Sequence, residues 1–353
     1  MGGWPTICSA CSERHPSESG DNVSTKHWQT IMVVVTNPFG REQLAASKAA
    51  AVARRCGARV VLFNAFMIPQ PVADVAMGSH DAIIQAAIRQ RRAALRAIAA
   101  RLRLPRNTEC VVRWDHPIDE AIVRQVRRTK PDLLVSESHR HGRLARLVLA
   151  NTDWLLIRDC PCALWFVRSK TLPSSPRLLV AVDPRHAHAK PARLDDRLLQ
   201  AAQAFARQLG GRIAVVHAYE RFENVVPGVW RRPLRRQQPS PAARRFVADT
   251  SELVTKLGEK HGVSADECAV REGPAEDVLP AQAARLSADV LVMGAVSRSF
   301  PTRPVIGNTA ERVIDRVECD VFIVKPAGFK ARNTALPRAQ RLERARTWQP
   351  QAT

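Results

Sequence analysis

The sequence predicts an α/β protein built from two tandem, doubly wound, five-stranded parallel sheets. Three observations point there. The chain repeats itself at a fixed offset, each repeat alternates short apolar runs with helical stripes, and the 353 residues suit two domains. Leu133–Arg168 laid over Val290–Lys325 shows nine identities in 36 ungapped positions, among them Asn151/Asn308, Thr152/Thr309, Ile157/Ile314 and Cys162/Cys319. Upstream, Ile31–Pro38 matches Arg177–Pro184, Gly57–Phe66 matches Gly210–Tyr219, and Glu109–Ile122 matches Glu267–Leu279 with one residue inserted. The seam between the repeats is the polar, Pro-bearing stretch SKTLPSSP, Ser169–Pro176.

The elements of the second repeat follow in order. LLVAV is a continuous apolar run, the mark of a strand buried on both faces. Asp195–Leu209 carries Leu198, Leu199, Ala202, Phe205, Ala206 and Leu209 on one helical stripe. RIAVVHAY is a strand, and Arg244–Gly262 a helix stopped by glycine. ECAVRE is the third strand. Pro274–Ser287 opens with proline and acids, as helices do, and Pro280 marks a shifted boundary or a kink. ADVLVMGA is a strand, NTAERVIDRVE a helix and DVFIVKP a last strand. The first repeat reads the same way. Four crossovers of this kind argue a parallel sheet with helices on both faces.

Composition narrows the function classes. Apolar residues make up 45%, enough for ordinary cores, and no apolar run approaches the ~20 residues of a membrane span. The N-terminus lacks the basic and apolar regions of a signal peptide, so a cytoplasmic location is expected. The net charge is +21, which favours non-specific contact with nucleic acid. The basic stretches worth testing are Arg231–Arg245 and the tail Lys330–Thr353. Of the eight cysteines, most sit in apolar segments as small hydrophobes; Cys8 and Cys11 form a CxxC without the second pair that zinc needs. His139, His141, Asp115 and His116 are weak metal candidates, and no metal is expected. No nucleophile–base arrangement suggests catalysis, so the chain is not expected to be an enzyme.

The segments GNTAERVIDRVECDVFIVKP (Gly307–Pro326) and HRHGRLARLVLANTDWLLIRDCP (His139–Pro161) give the chain a family resemblance. From about Trp28 to Phe329 it resembles the universal stress protein family, and its first repeat is similar to the first domain of that family's tandem subgroup. The resemblance implies strand order 3-2-1-4-5, domains at 27–169 (degenerate) and 177–327, and tails at 1–26 and 328–353. It implies pairing of the two domains through their last strands, with a homodimer also open, and a non-catalytic role in stress response through a partner or ligand.

The resemblance also implies a candidate ATP site in the second domain. Family members that bind ATP place G-x2-G-x9-G-[ST] after strand four and an acid at the end of strand one. Here the acid is Asp183, Met293 precedes the first glycine, Gly294, and the third glycine is Gly307. Ser297 stands where the second glycine belongs, and Asn308 followed by Thr309 replaces the [ST] position. Two glycines and the acid remain. In the first domain the corresponding residues are Glu137, Arg140, Ala150 and Asn37, which would not receive phosphate.

Overall fold

The computed structural model describes residues 28–68, 80–138, 152–168, 172–185, 193–220, 241–294, 297–300, 303–306, 308–326 and 328–329. The tail 1–26 with Cys8 and Cys11, the segment from His139 to Asn151, Arg231–Ser240, Gly307 and Lys330–Thr353 lie outside the described residues.

The first repeat runs β1 (Thr30–Val34), α1 (Leu44–Cys56), β2 (Arg59–Phe66), α2 (His80–Arg101), β3 (Glu109–Trp114), α3 (Ile118–Thr129), β4 (Leu133–Glu137), α4 (Thr152–Asp159) and β5 (Ala163–Val167). The second runs β6 (Arg177–Ala181), α5 (Leu194–Leu209), β7 (Arg212–Tyr219), α6 (Pro241–Lys260), β8 (Cys268–Glu272), α7 (Ala275–Arg285) and β9 (Val290–Gly294). It continues with β10 (Ser297–Phe300), β11 (Arg303–Ile306), α8 (Asn308–Arg316) and β12 (Asp320–Val324). The helical stripe read for α5 is buried at all six positions. α1 and α5 both stop at a left-handed glycine, Gly57 (φ 68°) and Gly210 (φ 67°), a conformation that a Cβ would strain.

The strand order is β3-β2-β1-β4-β5 in one half and, mirrored, β12-β9-β6-β7-β8 in the other. Within each of these two five-strand orders every pair is parallel. The two sheets are not separate. β5 and β12 pair antiparallel, which makes one ten-stranded sheet. α1, α2, α5 and α6 cover one face of it, and α3, α4, α7 and α8 the other.

The β5–β12 seam has internal two-fold symmetry. Trp165 faces Phe322, its own counterpart at the offset of 157. Arg168 Nη1 donates to the Ile314 carbonyl at the end of α8, and Lys325 Nζ donates to the Ile157 carbonyl at the end of α4. Those are again counterparts on both sides. Each half thus presents the same patch to the other, the isologous geometry of a symmetric dimer written into one chain. Trp165, Phe205, Phe322 and Trp28 form an aromatic cluster on the α1/α5 face. Asp320, fully buried, breaks the symmetry. It accepts from Lys48 Nζ (2.6 Å), Trp165 Nε1 (3.0 Å) and the Arg168 backbone N–H (2.9 Å). A buried charge needs such partners, because the interior offers no water to replace them.

Two details depart from the sequence reading. The stretch SRSFPTRP, which lies between the read strand and helix and holds two prolines, is not irregular throughout: its ends form the antiparallel hairpin β10–β11, with Ser297 opposite Ile306. At Pro280 the helix α7 neither stops nor shifts its boundary. Proline has no N–H for the Glu276 carbonyl one turn back, and Arg316 Nη1 from α8 donates to that carbonyl at 3.2 Å.

Candidate functional site

In doubly wound sheets, ligands sit beyond the carboxyl ends of the strands where the order reverses. In the second repeat that place lies between β6 and β9. Asp183 follows β6 by two residues and is only 5% exposed. Its backbone N–H donates to Asp195 Oδ1 in the first turn of α5 at 3.1 Å. Neither oxygen of its own carboxylate has a hydrogen-bond partner among the described residues. Among the described residues the cation-capable group beside it is His217, whose Nδ1 lies 4.0 Å from Oδ1 and donates to the Val182 carbonyl at 2.9 Å. A buried carboxylate without donors is costly, so a ligand hydroxyl would be well received there.

Met293 is buried at the end of β9, and Gly294 is the strand's last residue. A Cβ on Gly294 would lie 2.9 Å from Leu194 Cδ2. Leu194 of α5 thus crowds this glycine independently of any phosphate. α5 begins three residues earlier than α1 when the two are matched at their closing glycines, and that added turn brings Leu194 over β9. Ser297 opens the hairpin strand β10, whose ladder to β11 draws on backbone donors that a glycine loop would leave free. Asn308 and Thr309 are the first two residues of α8, whose leading N–H groups lack partners within the helix. The arrangement thus keeps the acid and the helix start but alters the loop between them.

The first repeat is built differently at the same place. The registers of β1 with β4 and of β6 with β9 make Ile31 the counterpart of Leu178. Asp183 then corresponds to Thr36, and Asn37 falls opposite Pro184. The sequence match of Asn37 to Asp183 is therefore off by one residue. It followed the shared proline, whereas the sheet register follows the strands. Asn37 makes a local turn, its Oδ1 accepting from the Phe39 N–H at 3.1 Å. Glu137, the counterpart of Gly294, accepts from the Ala45 N–H at 3.2 Å, in the first turn of α1. A cleft of about 760 Å³ opens beside it, lined by Glu42, Glu137, Ser138, Arg168 and Glu318 among others. Three carboxylates around one guanidinium do not suit a phosphate.

Sequence reasoning missed His217 and Asp195. A signal for the first was present: His217 and its counterpart Asn64 are the lone polar residues inside two matching apolar strands. Asn64 plays the same part, its Nδ2 donating to the Val35 carbonyl at 2.7 Å. Among the metal candidates, Asp115 is taken by Arg124, which reaches both its oxygens at 2.8 and 3.2 Å. No group of three or more potential metal ligands occurs among the described residues. Nor is any described helix long and apolar enough to cross a membrane.

Comparison with known proteins gives this architecture its class. The model of the universal stress protein family matches residues 27–168 and 176–325, so the chain belongs to that family, twice over. It is similar in the same tandem form to universal stress protein E of Photorhabdus laumondii, 25% identical over 317 residues, 86% of this chain and 97% of that one. Universal stress protein E of Escherichia coli K12 is 30% identical over 223 residues, 63% of this chain and 69% of the relative. Among solved structures, a protein of unknown function from Pseudomonas aeruginosa PAO1 superposes with a TM-score of 0.60 at 23% identity, covering 85% of this chain and 93% of that one. A universal stress protein from Archaeoglobus fulgidus gives 0.57 at 12% identity, covering 86% and 98%. Both support the fold alone.

Proposed function

We propose that this universal stress protein acts in the stress response by binding, without catalytic turnover, and that its ligand site is the crevice of the second repeat at Asp183. One observation carries the reading: a carboxylate 5% exposed, at the switch point of the sheet, with no hydrogen-bond partner among the described residues. The ligand class it suits is a ribonucleotide such as ATP. Asp183 would accept from the ribose hydroxyls, and the first N–H groups of α8, at Asn308 and Thr309, would face the phosphates. The ribose end fits well. The phosphate end fits less well, because Leu194 packs over Gly294 and the hairpin β10–β11 engages backbone donors. Affinity is accordingly modest. The first repeat holds no such ligand, since Glu137 and Glu42 line its cleft. Mass spectrometry of small molecules retained on natively purified protein tests this. A nucleotide or nucleoside should be recovered; an unrelated apolar molecule, or steady release of phosphate from added ATP, would contradict it.

The seam uses the last-strand edge of both halves, so a second copy would have to dock elsewhere. The charge of +21 supports a second reading, salt-sensitive association with nucleic acid through the tail Lys330–Thr353. Removing that tail should lower binding to DNA of any sequence at low salt; equal binding by the shortened chain excludes the tail.

A further inference from the structure

We infer that Cys160 and Cys162 form a reversible dithiol–disulfide site, oxidised by hydrogen peroxide and served by the ammonium group of Lys325. The two cysteines flank Pro161 in the link from α4 to β5, and both are free thiols. Their sulfurs lie 3.4 Å apart, in S–H···S contact. Cys160 is fully buried, and Cys162 is partly exposed as a residue, so Cys162 is the member of the pair nearer solvent. Lys325 reaches in from the other repeat. It donates to the Ile157 carbonyl in the last turn of α4, just before that link, lies 4.4 Å from the centre of the Phe329 ring, and is 5% exposed. Of the six cysteines in the described residues, only these two meet each other at hydrogen-bond distance with a buried cation nearby.

The electrostatics agree with the geometry. Burial opposes ionisation of Cys160, yet the hydrogen bonds from the Cys162 thiol and backbone, with the charges of Lys325 and Arg127, hold it below the usual thiol range. Cys162 is pushed well up, first by its hydrogen bond to Cys160 and then by burial. Burial likewise lowers Lys325 to about 8, a shift that the two thiols and Asp159 partly offset. Cys160 is therefore the more readily ionised of the two, beside a cation, the setting in which cysteines oxidise.

The chemistry balances. The shared proton moves to Cys160 along the S–H···S contact, which leaves a thiolate on Cys162, the residue of the pair nearer solvent. This sulfur, the more basic and so the better nucleophile, attacks one peroxide oxygen. The S–O bond forms, the O–O bond breaks, and hydroxide leaves. That hydroxide takes the proton of Cys160. The new Cys160 thiolate attacks the sulfenic sulfur, the S–S bond forms, the S–O bond breaks, and a second hydroxide leaves to be protonated from solvent. Two thiols are oxidised, and one peroxide is reduced to two waters. A disulfide across a single residue is strained, and strained disulfides are readily reduced again, which suits a switch more than a staple.

The test uses the full chain. Reduced protein is exposed to graded hydrogen peroxide, free thiols are alkylated, and the peptides are read by mass spectrometry. The peptide holding Cys160 and Cys162 should lose two hydrogens and both alkylation sites before Cys56, Cys110, Cys268 or Cys319 react, and dithiothreitol should restore it. Lys325→Met should slow that step about tenfold, with Lys325→Arg close to wild type. Three results would overturn the assignment: prior oxidation elsewhere, as at Cys8 and Cys11; sulfinic acid at Cys162 with no disulfide; or a disulfide that thiols do not reverse. An unchanged rate in Lys325→Met would remove the lysine from it.

Discussion

Asp183 and Lys325 are both buried charges, and their surroundings differ. Asp183 meets no hydrogen-bond donor among the described residues, so removing its charge should stabilise the ligand-free protein. Asp183→Asn is expected to raise the unfolding free energy by roughly 1–3 kcal/mol, read from urea denaturation; a loss of that size would show that the carboxylate is already satisfied. Lys325 has a partner but little water, and burial lowers it from 10.5 to about 8. Its folded value lies below its unfolded one, so between about pH 8 and 10.5 the unfolded chain holds a proton that the folded chain has shed. Wild-type stability should therefore rise with pH across that window relative to Lys325→Met, by up to about 3 kcal/mol. Denaturation midpoints of the two proteins at pH 7 and pH 10 check the sign; a gap between them that does not change would contradict it. At this scale the sequence was legible in part. Asp183 was singled out through the family motif, but its counterpart was misplaced by one residue. The prolines after the two strands align by sequence while the hydrogen-bond registers do not. His217 was passed over because a polar residue inside an apolar strand gives no chemical role until its neighbours are known.

At the scale of elements, strands and helices were readable because each buries a face of known period. The hairpin β10–β11 was not, since two prolines in eight residues argue against strand. Pro280 shows how the fold accommodates a residue that local propensity rejects. Arg316 supplies the hydrogen bond that Pro280 withholds from Glu276, so the two positions should couple. Arg316→Ala should cost roughly 0.5–1.5 kcal/mol in wild type and less in Pro280→Ala, where the restored N–H satisfies Glu276. A double-mutant cycle measures the difference; additivity would mean that the carbonyl is equally served by water. Arg316 also pairs with Asp277, and that contact contributes the same in both backgrounds, so it cancels in the cycle.

The whole molecule is an internal dimer whose halves differ at the switch point of the sheet, with Asp183 and Gly294 in the second repeat where the first has Thr36 and Glu137. Duplication was plain in the sequence, as was the departure of the first repeat from the glycine motif at Glu137, Arg140 and Ala150. The asymmetric anchor of the seam was not: Lys48 and Asp320 are separated by 272 residues, and neither lies in the repeated motif at a place that suggests a partner. Asp320→Ala should destabilise by about 3–5 kcal/mol, because it strands the buried Lys48 charge, whereas the paired change Lys48→Met with Asp320→Leu should cost far less. Equal losses from the single and double changes, in thermal or urea unfolding, would deny the pair that role. The central claim is that only the second repeat binds, and through Asp183. Titration calorimetry with ATP on four proteins tests it most directly: wild type, Asp183→Asn, Gly307→Val and Ala150→Val. Wild type and Ala150→Val should bind alike at a single site, Asp183→Asn should weaken binding tenfold or more, and Gly307→Val should abolish it. Binding that survives Asp183→Asn unchanged, binding lost in Ala150→Val, or no heat from wild type at millimolar ATP would contradict the account.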